Sequence, residues 1–311
     1  MRPPTISIGM PVYNEERHLD RALQSLFAQT CTDFEIVLSD NGSTDRTWEI
    51  CSRHAKADQR VRAFRSPRNH GAVWNANHVL ELAEGEYFLS AGGHDLWHPS
   101  YLERCLEVLR SDPQVVLAQS LTVMIDGDDR AVGIMPGWLD TRGVGQMFRF
   151  NMVQWGLVNG NLICGLIRRE ALNKTGRCRN NIGPHLILLS ELSLLGQFAL
   201  VPEPLFCRRE VRQQEDMVTK LRRWHQTMDP ATSGKSLSSS LIHFAEEHFR
   251  IALRARVTFW PRLLLFPSIF LILLAKAAKF VQWRGRPVQD AVLPGSLRSV
   301  KTWAGGPILP P

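Results

Sequence analysis

The sequence predicts an α/β fold built on a mainly parallel, doubly wound sheet, followed by a helical C-terminal extension. Short apolar runs alternate with amphipathic stretches between residues 5 and 126, which is the pattern of successive strand–helix units. Three of the apolar runs end in polar clusters, and ligands of such sheets bind at the carboxyl ends of the strands. The last third of the chain differs, because it is polar, basic and interrupted by one apolar run.

Strands are predicted at residues 6–10, 34–38, 61–64, 87–91 and 115–119. Helices are predicted at residues 15–29, 43–57, 72–83, 99–111 and 184–196. Leu19, Leu23 and Leu26 share one face of the first helix, and Ser43 opens a polar capping sequence before the second. Pro99 and Gly196 are typical of a helix start and a helix end.

The region after the fifth strand is less regular. Residues 127–160 are rich in glycine and are interpreted as loops, whereas residues 198–209 are predicted to be extended. Residues 213–256 have a helical, polar pattern. The expected domains are therefore residues 1–210, which form the α/β domain, and residues 211–311, which form the extension.

The extension carries the positive charge of the chain. Residues 208–311 contain 17 Lys and Arg against 7 Asp and Glu, although the whole chain has a net charge of only +7. An apolar run at 263–274 lies between tryptophan and basic residues, so a membrane-interfacial segment is predicted at about 259–284. A buried core helix or an oligomer contact is the alternative interpretation of the same pattern.

Composition excludes several classes of protein. Hydrophobic and charged contents of 44% and 22% are ordinary for a globular chain. The six cysteines form no CxxC motif, and they are expected to be reduced thiols of a cytosolic protein without a secretory signal. No nucleic-acid-binding motif accompanies the basic residues, so no nucleic-acid partner is expected.

The polar clusters predict one site at the sheet edge. They are Tyr13-Asn14-Glu15 after the first strand, Asp40-Asn41-Gly42-Ser43 after the second, and the segment 92–95 after the fourth. Carboxyl ends of parallel strands meet at one edge, so these residues are expected to lie together. Taken alone, Asp40 is more typical of a turn or helix-capping aspartate before Gly42.

The segment Ile8-Gly9-Met10-Pro11-Val12-Tyr13-Asn14-Glu15 resembles the opening of family 2 glycosyltransferases. Ser39-Asp40-Asn41-Gly42-Ser43-Thr44-Asp45 resembles the second signature of that family. Asn69-His70-Gly71, Asn75-Ala76-Asn77 and Gly85-Glu86-Tyr87-Phe88 resemble the third. The signatures follow the family's order over roughly residues 5–110, and the resemblance continues more faintly to about residue 209.

The resemblance implies a GT-A fold and an inverting transfer of sugar from a nucleotide-sugar, with a UDP-sugar as the expected donor. Asp40 would then bond the base or ribose, and Arg65 would meet the phosphates. The complete set of residues expected to bind the donor is Pro11, Tyr13, Glu15, Asp40, Arg65, Asn69, Gly71 and Asn75.

The sequence departs from the family at its Asp-x-Asp motif, whose carboxylates hold a divalent metal. Gly92 and His94 occupy the two aspartate positions, while Asp95 and the following Leu-Trp-x-Pro frame are retained. His94 and Asp95 are the predicted ligands of Mn²⁺ or Mg²⁺. Two other interpretations stay open: protonated His94 offsets the diphosphate charge without metal, or the site is impaired.

A second departure concerns the general base. Related sequences carry an aspartate at the start of the leucine-rich helix, and His185 stands there in this chain. Histidine is a competent base near neutral pH. Glu191, six residues further on, is the other candidate.

These observations predict an inverting glycosyltransferase that uses a glycan or a lipid-linked acceptor in surface polysaccharide or glycolipid synthesis. The loops at 127–160, with Trp138 and Trp155, are candidates for contact with that acceptor. The basic extension predicts a position at the cytoplasmic face of the membrane, with peripheral contact. The alternative is a catalytically impaired protein of the same fold that still binds nucleotide-sugar.

Overall fold

The structure is a computed structural model that describes residues 2–135, 139–156, 161–180 and 183–209. In the C-terminal extension it describes residues 227, 237–254, 267–271 and 274. The first four ranges contain the whole sheet and the site below.

Within the described residues, nine strands form one sheet in the order β3-β2-β1-β4-β8-β6-β9-β5, and β7 pairs with β6. They are β1 Ile6–Val12, β2 Phe34–Asp40, β3 Val61–Arg65, β4 Tyr87–Ser90, β5 Leu96–Trp97, β6 Val115–Ile125, β7 Ala131–Ile134, β8 Leu166–Arg168 and β9 Gln197–Arg209. The first four strands along this order are parallel. β8 then runs antiparallel to both β4 and β6, which makes the complete sheet mixed.

Helices cover both faces of the sheet. They are α1 Leu19–Phe27, α2 Thr47–Ala57, α3 Ala72–Leu82, α4 Tyr101–Ser111, α5 Gln146–Gly156, α6 Arg169–Asn173, α7 Pro184–Leu195 and α8 Leu237–Arg254, with a 3-10 turn at Asn161–Cys164. One core packs α1, α2 and α4 on the sheet. A second core packs α3, α5, α6 and α7 on the other face. The α/β fold predicted from the sequence is thereby confirmed.

The first predicted helix begins later than the pattern indicated, at Leu19 instead of residue 15. The second begins at Thr47, two residues after its predicted cap at Ser43-Thr44-Asp45. The residues before each helix form loops whose backbone groups bond across to the other loop. Their capacity for hydrogen bonds is used between the loops, so the helices start only after them.

The interpretation of residues 127–160 as loops is wrong for β7 and α5. The buried side chains of α5 include the polar Arg149 and Gln154 beside Phe150 and Val153. Arg149 is satisfied by the carbonyl groups of Ser193 and Val144. A buried face that is half polar has no visible apolar period, which explains why the sequence pattern did not reveal this helix.

The extension packs on the domain where the structure describes it. Phe244 and Ile251 of α8, together with Ile269, bury their side chains against Phe150 of α5 and Ile187 of α7. Most of the predicted membrane segment at 259–284 lies outside the described residues. Within the described part of the chain, no helix is long and apolar enough to cross a membrane.

Candidate active site

The loops after β1 and β2 form one hydrogen-bonded unit. The N–H of Asn14 donates to Ser43 Oγ at 2.9 Å, and the N–H of Glu15 donates to Thr47 Oγ1 at 2.8 Å. The N–H of Thr44 donates back to Asn14 Oδ1 at 2.9 Å. Asn14 has a φ of 55°, a left-handed conformation that asparagine tolerates better than most residues. The predicted juxtaposition of these two clusters is therefore present.

Asn69 and Gly71 shape the neighbouring loop after β3. Asn69 Oδ1 accepts hydrogen bonds from Asn41 Nδ2 at 2.9 Å and from the N–H of Gly71 at 2.8 Å. Gly71 begins α3 with a φ of 91°, a backbone conformation that favours glycine. Neither residue is among those that line the recess or the cleft described below, and their contacts hold the loop in place.

Asn75 forms the floor below the ends of β1 and β2. Its buried Nδ2 donates to Ser39 O at 2.9 Å and to Val12 O at 3.4 Å. Its Oδ1 is buried without a hydrogen-bond partner among the described residues. Asn75 thus joins the strand ends from α3.

Asp40 is a fully buried carboxylate at the end of β2. Its Oδ1 accepts a hydrogen bond from the N–H of Ser43 at 3.0 Å. Its Oδ2 lies 3.3 Å from Arg65 Nε, but no described residue donates a hydrogen bond to it. A buried carboxylate oxygen without a donor is unfavourable, so a bound ligand with an N–H or O–H group would satisfy it.

A surface recess lies beside Asp40. It has a volume of about 480 Å³ and is lined by Gly42, Ser43, Thr44, Arg65, Ser66 and Pro67. Arg65 is nearly half exposed, and its guanidinium lies over the ring of Trp48 at 5.5 Å. Tyr13, at 42% exposure, presents an aromatic side chain to solvent after β1. These residues offer a base or ribose both polar and flat surfaces.

The loop after β4 places His94 between two carboxylates. His94 Nδ1 lies 2.8 Å from Glu15 Oε1, and its Nε2 lies 3.9 Å from Asp95 Oδ1. Burial opposes protonation of His94, but its hydrogen bond to the Glu15 carboxylate and the charge of Asp95 outweigh burial and raise the pKa of His94 above its usual value. A carboxylate that holds one ring nitrogen also orients the other.

The Asp-x-Asp region keeps few metal ligands. Asp95 Oδ2 lies only 2.6 Å from the place where a Cβ on Gly92 would stand. The described residues contain no group of three or more His, Cys, Asp or Glu side chains arranged to hold a metal ion. His94 and Asp95 supply one imidazole and one carboxylate side by side in this loop.

Arg209 fixes the His94–Asp95 loop. Its N–H donates to Asp95 Oδ1 at 3.0 Å, and its Nε donates to His94 O at 2.9 Å. Its fully buried guanidinium also donates to Asp126 O and forms an ion pair with Asp129. The end of β9 therefore determines where the β4 loop lies.

A cleft of about 210 Å³ opens at this edge of the sheet. Its lining includes the polar residues Glu15, Ser90, His94, Asp95, His185 and Arg208. Pro11, the glycines of the β4 loop, Cys164 and the start of α3 complete much of the wall. The cleft thus combines residues from β1, the β4 loop, α7 and β9.

The two candidate bases have different surroundings. His185 lines the cleft, and burial, assisted by the charge of Arg208, lowers the pKa of His185 to about 4. Glu191 is not among the lining residues, and its oxygens bind Arg179 Nη2 at 2.6 Å and the N–H of Gly176 at 2.8 Å. His185 is therefore a neutral imidazole facing the cleft, whereas Glu191 is engaged in structural contacts.

Arg208 and Arg209 are the site residues that the sequence interpretation missed. In the sequence, the sign that could have indicated them is a pair of arginines at the end of the predicted extended segment 198–209. Only the tertiary structure shows that β9 lies next to β6 and brings them to the β4 loop.

The fold and cleft define a GT-A-type protein. Residues 7–176 match the family described as "Glycosyl transferase family 2", which is more than half of the chain. The chain belongs to glycosyl transferase family 2.

Individual relatives match shorter stretches. Chondroitin synthase from Escherichia coli is 31% identical over 137 residues, which cover 44% of this chain and 20% of that protein. Hyaluronan synthase from Pasteurella multocida is 27% identical over 167 residues, which cover 51% of this chain and 17% of that protein. The chain therefore matches about a fifth or less of the length of these two enzymes.

Solved structures share the fold at low identity. The S. aureus TarS structure in complex with UDP-GlcNAc has a TM-score of 0.61 at 17% identity, covering 87% of this chain and 73% of that one. A second structure is that of the mannosyltransferase PcManGT from Pyrobaculum calidifontis in complex with GDP-Man and Mn²⁺. It has a TM-score of 0.51 at 17% identity and covers 98% of this chain and 81% of that one.

We predict that Arg209→Met destabilises the protein by about 3 kcal/mol or more, because it leaves buried partners of a guanidinium unpaired. Arg21→Met is the matched control: Arg21 binds the same Asp129 carboxylate at 2.8 Å but is half exposed. Its loss should cost about 1 kcal/mol or less. Urea unfolding measures both, and equal losses would contradict the anchoring role of Arg209.

Proposed function

We propose that this protein is an inverting glycosyltransferase that moves a sugar from a nucleotide-sugar, a UDP-sugar, to a glycan or lipid-linked acceptor. The observation that carries the proposal is the cleft, in which donor-side residues of β1 and the β4 loop face His185 of α7. Donor binding and acceptor activation then take place in one enclosed space.

The donor nucleotide is expected to lie along the ends of β1 and β2. Asp40 Oδ2, which lacks a donor among the described residues, would accept a hydrogen bond from the base or ribose. Tyr13 would contact the nucleoside from the exposed side, Arg65 would meet the phosphates, and Pro11 and Glu15 would shape the nucleotide pocket. The TarS and PcManGT structures contain UDP-GlcNAc and GDP-Man, which supports a nucleotide-sugar as the ligand class.

The chemistry is a direct displacement at the anomeric carbon. The acceptor hydroxyl gives its proton to the neutral ring nitrogen of His185 as its oxygen bonds to the anomeric carbon. The bond from that carbon to the diphosphate oxygen breaks, and the nucleoside diphosphate leaves with the electron pair. Attack opposite to the leaving group inverts the configuration at the anomeric carbon.

His94 and Asp95 remain the predicted ligands of a divalent cation, Mn²⁺ or Mg²⁺. When bound, that cation would neutralise charge on the leaving diphosphate. Glu15 orients the His94 ring so that Nε2 faces Asp95, which suits a metal-ligating imidazole.

One observation favours the alternative, a protein of the same fold that binds nucleotide-sugar without turnover. Gly92 provides no carboxylate, and Asp95 Oδ2 occupies the space where its side chain would be. Nucleotide binding without release of UDP from any UDP-sugar would identify this alternative.

Replacing Asp40 with Asn should weaken UDP binding roughly 10- to 100-fold, because a charged acceptor becomes an amide that can donate. Asp112→Asn is the control, since Asp112 lies outside both the cleft and the recess. Calorimetric titrations of UDP and GDP into both variants measure the effect. If the wild type binds neither nucleotide under any condition, the donor site does not exist.

Replacing His185 with Ala should lower kcat by about 10²- to 10⁴-fold and leave UDP affinity unchanged. Release of UDP from UDP-hexoses, with and without a glycan acceptor, provides the rate. Since the pKa of His185 is about 4, the acid limb of kcat/KM should lie well below pH 6.5. Glu191→Gln is the comparator: a loss confined to that variant would assign the base to Glu191.

If the acceptor is lipid-linked, the protein is expected to act at the cytoplasmic face of a membrane. The basic extension supports this position, as do the exposed side chains of Phe270, Leu271 and Leu274. We expect the full chain to sediment with phosphatidylserine-containing vesicles, less so at high salt, and Phe270→Glu to reduce that association. No sedimentation with either kind of vesicle would contradict peripheral contact, and equal sedimentation with neutral phosphatidylcholine vesicles would contradict the role of the basic residues.

A further inference from the structure

Arg208 brings a permanent positive charge into the cleft. It is the one lysine or arginine that the described residues contribute to the lining. It stands at the end of β9, next to the anchored Arg209, so the same strand end that fixes the His94–Asp95 loop also positions this guanidinium.

The contacts of Arg208 leave its charge uncompensated within the described part of the chain. Its Nη1 donates to the neutral Asn161 Oδ1 at 3.1 Å, and no described carboxylate forms an ion pair with it. Arg209, by contrast, is paired with Asp129. Asn161 also bonds Thr122, so the residue that holds the Arg208 side chain is itself fixed.

Among the described residues, the two carboxylates that line the cleft, those of Glu15 and Asp95, already have partners within the protein. An Asp-x-Asp motif would place two carboxylates where Gly92 and His94 stand, and a diphosphate could approach them only with a metal between. Here those two negative charges are absent. The Glu15 carboxylate is paired with His94, and one oxygen of Asp95 accepts a hydrogen bond from the N–H of Arg209. A guanidinium is well suited to phosphate oxygens because of its several parallel N–H donors.

We propose that Arg208 is a donor-binding residue that contacts the diphosphate, so that the nucleotide binds without a divalent cation. The inference rests on the proposed function, because it assigns the diphosphate half of the same donor site. It leaves the cation a role in the chemical step, where negative charge develops on the leaving group.

Titration calorimetry of UDP into the full-length protein, in EDTA and in Mn²⁺, tests the proposal. The wild type is expected to bind UDP in EDTA. Arg208→Gln should weaken that binding roughly 10- to 100-fold, which is the loss of a charge-assisted contact. Arg208→Lys keeps the charge but not the fork of donors, so its affinity should fall between the two.

Arg104→Gln is the matched control, because Arg104 is an arginine on α4 that pairs with Glu203 and lies outside the cleft. Its UDP affinity should equal that of the wild type. Thermal unfolding of each variant identifies any loss that comes from misfolding. If Arg208→Gln does not fold, Arg208→Lys carries the test, with a severalfold weakening expected and unchanged affinity as the contrary result.

The outcomes separate this inference from the proposed function. UDP binding by the wild type in Mn²⁺ but not in EDTA would overturn the inference and leave the glycosyltransferase proposal standing. Arg208→Gln with wild-type affinity in EDTA would do the same. Failure of the wild type to bind UDP or GDP in either condition would overturn both.

Discussion

The contact between Arg209 and the β4 loop is the constraint on which the site depends. Through its backbone N–H and its Nε, Arg209 binds Asp95 and the carbonyl group of His94. Its buried guanidinium, satisfied by the β6–β7 turn, cannot shift without exposing unpaired charge. Two distant parts of the chain are therefore joined at this one residue. His94, Asp95 and Arg208 all take their positions from that junction.

The sequence predicts much of the site formed by the ends of β1, β2 and β4. It does not predict most of the part that β9 contributes. The polar clusters after β1, β2 and β4 come together because parallel strands end at a common edge, which the alternating pattern already predicts. The resemblance to the family predicts His185 as a candidate general base, and His185 lines the cleft. The sequence predicts that Asn69, Gly71 and Asn75 bind the donor. In the structure, these residues form hydrogen bonds with the backbone and with Asn41.

The parts that sequence did not reveal share a physical cause. β5 and β8 contain two and three residues, too few for any period to show. α5 buries polar side chains that bond backbone carbonyl groups of α7 and its own first turn, so its inner face looks hydrophilic. Arg208 and Arg209 reach the site through the pairing of β9 with β6, a contact between segments about 80 residues apart in the chain. Local patterns contain no information about such pairing.

The small distance between Gly92 and Asp95 also restricts how this chain can change. An aspartate at position 92 would bring its Cβ to within 2.6 Å of Asp95 Oδ2, so the carboxylate that the Arg209 N–H holds by its other oxygen would have to shift. A single Gly92→Asp substitution would therefore displace Asp95 before it adds a metal ligand. A variant built to restore two carboxylates in this loop needs changes at more than one position.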